Sequence, residues 1–225
     1  MVKIDRLIRS RRKTISLIIR QDGSLEVRAP LRASEQIIRN FVEQKQNWIY
    51  TKQKLVLENK QQTSPKLFIN GEDYLYLGKK YPLQIVPRVA RNLMFNGQVF
   101  LLGQNASDKA LSLFEKWYKT AAMQIFTERT AFYARLYGFK YQRIRITSAR
   151  TRWGSCSSKG TLSFTWRLIM APPEIIDYVI VHELVHTLEP NHARAFWQKV
   201  EKIMPDYKTR VKWLKTNGHL LKLSA

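Results

Sequence analysis

His182-Glu183-Leu184-Val185-His186-Thr187-Leu188-Glu189-Pro190-Asn191-His192 contains three of the chain's four histidines. It has the form H-E-x-x-H, with a third histidine after five more residues. Residues four apart on a helix share one face, so His182 and His186 can hold one cation together. Neutral imidazole suits zinc and similar borderline ions. Glu183, beside the first ligand, reaches a water bound at the metal rather than the metal itself. Pro190 breaks the helix between His186 and His192, so the chain can turn and bring His192 back as a third ligand. Three protein ligands leave one tetrahedral position open, which marks a catalytic zinc site rather than a structural one. The expected chemistry is hydrolysis. Zinc lowers the pKa of its water from about 15.7 to roughly 7. Glu183 takes the proton, hydroxide attacks a carbonyl or phosphoryl group, and Glu183 then protonates the leaving group. A metzincin would carry glycine where Glu189 stands and would continue to a Met-turn, and neither feature is evident here.

Upstream of the motif, Pro172-Pro173 opens a helix whose core face is Ile175, Ile176, Val179, Ile180 and Leu184. Thr161 to Trp166 reads as a strand, Thr151 to Gly160 as a Ser- and Gly-rich loop, and Arg143 to Thr147 as a half-exposed strand. A long helix is expected from Ser107-Asp108 to Gly138, with an apolar face that includes Phe114, Tyr118, Phe132 and Leu136. Residues 67–102 read as short strands separated by Asn70-Gly71, Gly78, Pro87 and Asn96-Gly97. At the start of the chain, Asp22-Gly23 signals a hairpin, and Ser34 caps one helix that runs to about Lys60. The polar stretch Gln61 to Pro65 reads as a linker. The expected fold is therefore α+β. A zincin-like metallohydrolase domain over residues 106–225 packs its active-site helix on a small sheet, and a β-rich accessory region occupies residues 1–105.

The 225 residues suffice for a substantial core. No apolar run approaches the roughly 18 residues that would span a bilayer, so no membrane role is expected. The stretch Ile15 to Ile19 is too short for a signal peptide, and the expected location is the cytoplasm. Cys156 is the single cysteine, which excludes an intramolecular disulfide and a four-cysteine zinc site and fits a reducing compartment. As a fourth ligand or redox sensor it is weaker than as a packed thiol. His219, in a Lys-rich tail, reads as a surface residue. The formal charge is +22, from 39 basic and 17 acidic residues. Such a field attracts nucleotides, nucleic acid or other polyanions without specifying which. From Arg129 to Pro173 there is no Asp or Glu, and this basic stretch leads into the histidine motif. Within it, Arg152 is a candidate for stabilising an oxyanion or a phosphate.

Arg152-Trp153-Gly154-Ser155-Cys156-Ser157-Ser158, the strand Leu162 to Leu168, Pro172-Pro173-Glu174, Asp177 to Leu184, and Asn191-His192 with Phe196-Trp197 after it resemble the YgjP-like metallopeptidase family. That family is related to the SprT-like and WLM zincins. Upstream segments of the same type are Arg11 to Leu17, Val27 to Pro30 and Tyr76 to Leu83. The resemblance implies a zincin fold, with His182, His186 and His192 as zinc ligands and Glu183 as catalytic acid and base. Some members of the family are described as nucleotide pyrophosphatases. In zincins generally an edge strand ahead of the active-site helix holds an extended substrate. By analogy that strand is Leu162 to Trp166, which makes Leu162, Ser163, Phe164 and Thr165 substrate-binding candidates beside Arg152. Three functions are expected. The first is a zinc metallopeptidase acting on peptide or protein. The second is a metal-dependent nucleoside triphosphate pyrophosphatase. The third is a protease associated with nucleic acid through its basic surface.

Overall fold

Three strands open the chain: β1 (Arg6–Ser10), β2 (Ser16–Ile19) and β3 (Leu25–Pro30). The computed structural model describes residues 2–20, 22–61 and 65–223. Gly23, at φ 86°, turns the chain between β2 and β3, which pair antiparallel as the Asp22-Gly23 signal predicts. The charged N-terminus supplies β1, which joins β3 in parallel and makes β3 the central strand. Ser34 accepts a hydrogen bond from the Ile37 N–H at 3.3 Å and caps α1 (Glu35–Gln44). The single helix expected from Ser34 to Lys60 is interrupted at Lys45 and resumes as α2 (Gln46–Gln61). Leu25, Val27 and Ala29 of β3 pack with Ile38, Val42 and Ile49 in a core of their own. Glu26, also on β3, is covered by guanidinium groups of Arg20, Arg28 and Arg6. Hydrogen bonds from Arg20 and then Arg28 hold its carboxyl below the usual carboxylate range.

The chain divides into two units, Met1–Ser64 and Pro65–Ala225. Of the linker expected at Gln61 to Pro65, Gln61 closes α2, and residues 62–64 lie outside the described residues. In the second unit, β4 (Asp73–Tyr76), β5 (Lys79–Val86), β6 (Leu93–Phe95) and β7 (Phe100–Gly103) form a sheet of order β4-β5-β7-β6. A 3₁₀ turn, Gln104–Lys109, leads into α3 (Ala110–Tyr137), which stops at Gly138 in the left-handed conformation (φ 73°). The buried residues of α3 are Ala110, Phe114, Tyr118, Ala122, Phe126, Thr130 and Ala134, one every four positions. A helix turns 360° in 3.6 residues, so such a stripe advances about 40° per step and winds around the helix. Its first half meets the four-stranded sheet, with Tyr74 stacked on Phe114 at 4.2 Å. Its second half meets the later part of the unit, with Phe126 against Phe164 at 5.6 Å. Phe132 and Leu136, expected on the buried face, lie off this winding stripe and are 49% and 58% exposed.

The sequence places a boundary at 105/106, but in the structure the four-stranded sheet packs on α3 and on the turn that leads to the histidine helix. The Tyr118 hydroxyl donates to the Leu75 carbonyl at 2.7 Å. The N–H groups of Leu77 and Gly78 donate to the carbonyls of Ile169 and Met170 at 2.9 and 3.1 Å. Gly78 has φ 79°, and a Cβ there would come within 2.9 Å of Pro172 Cα, so only glycine permits this approach.

Three further strands, β8 (Arg143–Thr147), β9 (Gly154–Cys156) and β10 (Thr161–Thr165), form the second sheet of this unit, of order β8-β10-β9. This corrects the expected edge strand. β10 is the middle strand, parallel to β8 on one side and antiparallel to β9 on the other. Its backbone is therefore already paired on both sides. Leu162 and Phe164 are fully buried, and the Thr165 hydroxyl donates to the Ala149 carbonyl at 2.8 Å. Leu162, Ser163, Phe164 and Thr165 thus offer no free edge to a substrate. Trp166 belongs to a 3₁₀ turn, Trp166–Met170, that leads to α4 (Pro173–Val185). The chain continues with α5 (Arg194–Ile203), α6 (Tyr207–Asn217) and a 3₁₀ turn, Gly218–Leu220. His219 is half-buried in that last turn rather than on the surface.

Candidate metal centre

Helix α4 is apolar nearly all round, with Ile175, Ile176, Val179, Ile180, Val181, Leu184 and Val185 all buried. A helix of that kind belongs inside a core. It is also tied to α3, where Arg129 Nε donates to Asp177 Oδ1 at 2.7 Å and the Tyr133 hydroxyl lies 3.1 Å from Oδ2. His182, Glu183 and His186 are thus carried on a rigid element. The helix ends at His186, and the N–H groups of Leu188 and Glu189 turn back to the Val185 carbonyl. Pro190 comes next, and His192 lies in the loop before α5.

The structure brings the three histidines together. His192 Nε2 lies 3.0 Å from His182 Nε2 and 3.1 Å from His186 Nε2. The ligand atoms of all three lie within 4.8 Å of one another, and no other such group occurs among the described residues. Proton placement tests whether they fit a metal. His186 Nδ1 is 2.9 Å from the Glu189 carbonyl, so it must donate, which leaves Nε2 of the neutral ring with a lone pair. One N–H on His192 cannot aim at both neighbours. If His192 carries no proton there, two lone pairs face each other. A cation between the three nitrogens removes this conflict. Burial, then the neighbouring His186 and His192, pushes His182 down to about 3, so it stays neutral as a ligand must. Burial and His186 also lower His192.

Phe196 of α5 is fully buried beneath the cluster, with ring centroids 4.8, 4.5 and 4.7 Å from His182, His186 and His192. Trp197 stacks on His192 at 5.6 Å and on Tyr207 at 5.4 Å. In the sequence alone Phe196 shows no role of its own. The available signal is an aromatic residue one turn after His192, at the start of an amphipathic helix.

Glu183 is only 5% exposed, and its Oε2 has no hydrogen-bond partner among the described residues. Burial pushes its carboxyl up to about 8, against an opposing pull from Arg152. Arg152 is itself exposed, in the loop before β9. Gly154 of β9 makes room for Glu183, because a Cβ there would lie 2.5 Å from Oε1 and 2.6 Å from Cγ. Gly154→Ala is accordingly expected to push the carboxylate aside. The overpacking costs about 1–3 kcal/mol, and on the sequence reading of Glu183 as proton carrier a displacement of about 1 Å would lower hydrolysis on the order of 100-fold. Thermal melting together with rate measurement checks this, and a variant with wild-type activity would show that the contact is unimportant. Cys156 on the same strand is half-buried, with Sγ 3.4 Å from the Ser157 carbonyl, and stands outside the histidine group. Burial and Glu183 push its thiol up, as expected for a packed rather than a reactive cysteine.

A family model described as the YgjP-like metallopeptidase domain matches residues 13–217. Among solved structures, the metallopeptidase zymogen of Pyrococcus abyssi abylysin is 21% identical, with a TM-score of 0.38. That alignment covers 44% of this chain and 99% of that one. No curated protein gives a significant match.

Proposed function

The chain belongs to the YgjP-like metallopeptidase domain family, and we propose that it is a zinc-dependent peptidase whose metal is held by His182, His186 and His192, with Glu183 as its proton carrier. The observation that carries this reading is the meeting of three imidazole Nε2 atoms at 3.0 and 3.1 Å, with no proton arrangement that satisfies both contacts. Bound there, zinc would lower the pKa of water to about 7 and polarise a carbonyl. The rest is done by the chain. Glu183 Oε2, buried and without a partner, takes the proton of the attacking water and passes it to the leaving amine. Its raised affinity for a proton suits both transfers. The Glu189 carbonyl fixes the His186 ring, and the Tyr178 hydroxyl, 3.4 Å from His182 Nδ1, steadies the other helical ligand. Among the described residues strand β9 pairs with β10 on one side only, and it lies beside Glu183, so an extended peptide can add to its other edge.

The nucleotide reading draws on the basic stretch before the motif. Two of its cations are engaged within the protein: Arg129 on Asp177 and Arg167 on the Ser148 carbonyl. That loss favours the peptide. Among the described residues no helix is long and apolar enough to cross a membrane, and the single cysteine accords with a cytoplasmic setting. The deciding experiment screens a peptide library and a set of nucleoside triphosphates in parallel, before and after chelation. We expect peptide cleavage that is lost with the metal and restored by zinc. Chelator-sensitive pyrophosphate release without peptide cleavage would transfer the site to nucleotides.

A further inference from the structure

Between β9, α4 and α6 lies a cavity of about 370 Å³. Trp153, Tyr178, Val211 and Leu214 line it, with Lys215 beside them. His182 and Glu183 also line it, so the cavity is continuous with the candidate metal centre. An apolar cavity of roughly 150 Å³ holds one benzene molecule, so this one has space for an aromatic side chain. Its wall is preformed. Trp153 is wedged against Gly218, where a Cβ would come within 2.8 Å of the indole Cζ2. Lys215 is exposed, and no carboxylate pairs with it among the described residues. Glu183, only 5% exposed, also belongs to the lining.

We propose that this cavity selects the substrate: it takes a large apolar side chain next to the bond to be cut, and Lys215 favours substrates that bring a carboxylate with that side chain. The proposal rests on the peptidase reading of the same site. Largely apolar walls with a few placed polar groups, here Lys215, His182 and Glu183, are the usual construction of a selective pocket. The carboxylate has two sources, the free C-terminus of a short peptide or a neighbouring acidic residue.

The test begins with binding, on the metal-stripped protein, so that it does not depend on catalysis. The probes are 3-phenylpropanoate and the uncharged 3-phenylpropanol, measured by calorimetry. We expect both to bind, with Leu214→Trp weakening both by about tenfold or more by filling the space. Lys215→Glu weakens 3-phenylpropanoate alone, by about tenfold, through like-charge repulsion. No binding by the wild type, or equal binding by all three proteins, overturns the proposal. Lys215 is exposed, so its variant decides the matter if Leu214→Trp does not fold. With zinc restored, peptides with a free C-terminus are compared with amidated peptides carrying an internal Asp or Glu, which separates the two sources. Probe binding without cleavage of any peptide would remove the peptidase reading and leave the pocket standing.

Discussion

Replacing Glu183 with glutamine is expected to reduce hydrolysis by about 10²- to 10⁴-fold, the usual contribution of a positioned proton carrier. Glutamine has the same shape, so the close fit against Gly154 is retained. Oε2 accepts no hydrogen bond from the described residues, so none of theirs is lost when the carboxylate becomes an amide. The three histidines do not depend on Glu183 for their contacts with one another. Metal content is therefore expected to stay at the wild-type level while turnover collapses. The measurement is the rate on the best peptide from the parallel screen, with zinc determined in the same sample. Near wild-type turnover at full zinc content would remove Glu183 from the mechanism.

His192→Ala has the second large effect. Removing an outer-shell partner of a metal ligand typically weakens binding about 10–100-fold. Loss of a ligand itself is expected to exceed that, so zinc affinity should fall by more than about 100-fold. His192 is exposed and lies in a loop, so its side chain adds little to the core. Thermal stability of the metal-free protein should therefore hardly change. Competition with a zinc-binding dye gives the affinity. An unchanged value would mean that the helix pair alone holds the ion, and that the approach of His192 to the other two rings is only packing.

The grouping of the three histidines is legible in the sequence because it is written over eleven consecutive residues. Helical spacing joins His182 to His186, and Pro190 frees the chain to return His192. The supporting parts are not legible, because they depend on pairings far apart in the chain. Alternation shows that Leu162 and Phe164 face inward, but a strand has the same alternation at an edge and in the middle of a sheet. Only the pairing with Arg143–Thr147 and Gly154–Cys156 makes β10 central. Gly154 reads as an ordinary loop glycine until Glu183, 29 positions later, is seen to occupy the space of its missing side chain. In the sequence the apolar face of α3 has the look of a straight stripe that includes Phe132 and Leu136. A helix that serves two sheets in turn needs a winding one, and no single helical face describes it. The boundary at 105/106 fails for a related reason: turn signals punctuate the strands of residues 67–102, but their partner surface is α3 and the 3₁₀ turn before α4.

The three histidines differ in what holds them. His182 and His186 sit on a helix enclosed by core on nearly every side, while His192 arrives on an exposed loop. Local opening is cheapest where few buried contacts must be broken. Metal exchange would accordingly take an ordered path, with the helix pair as a standing two-ligand cradle and the loop closing last on capture and opening first on release. The residence time of the ion would then be set by loop residues Glu189 to Ala193, and a proline or glycine change there would alter exchange kinetics while leaving the helix untouched.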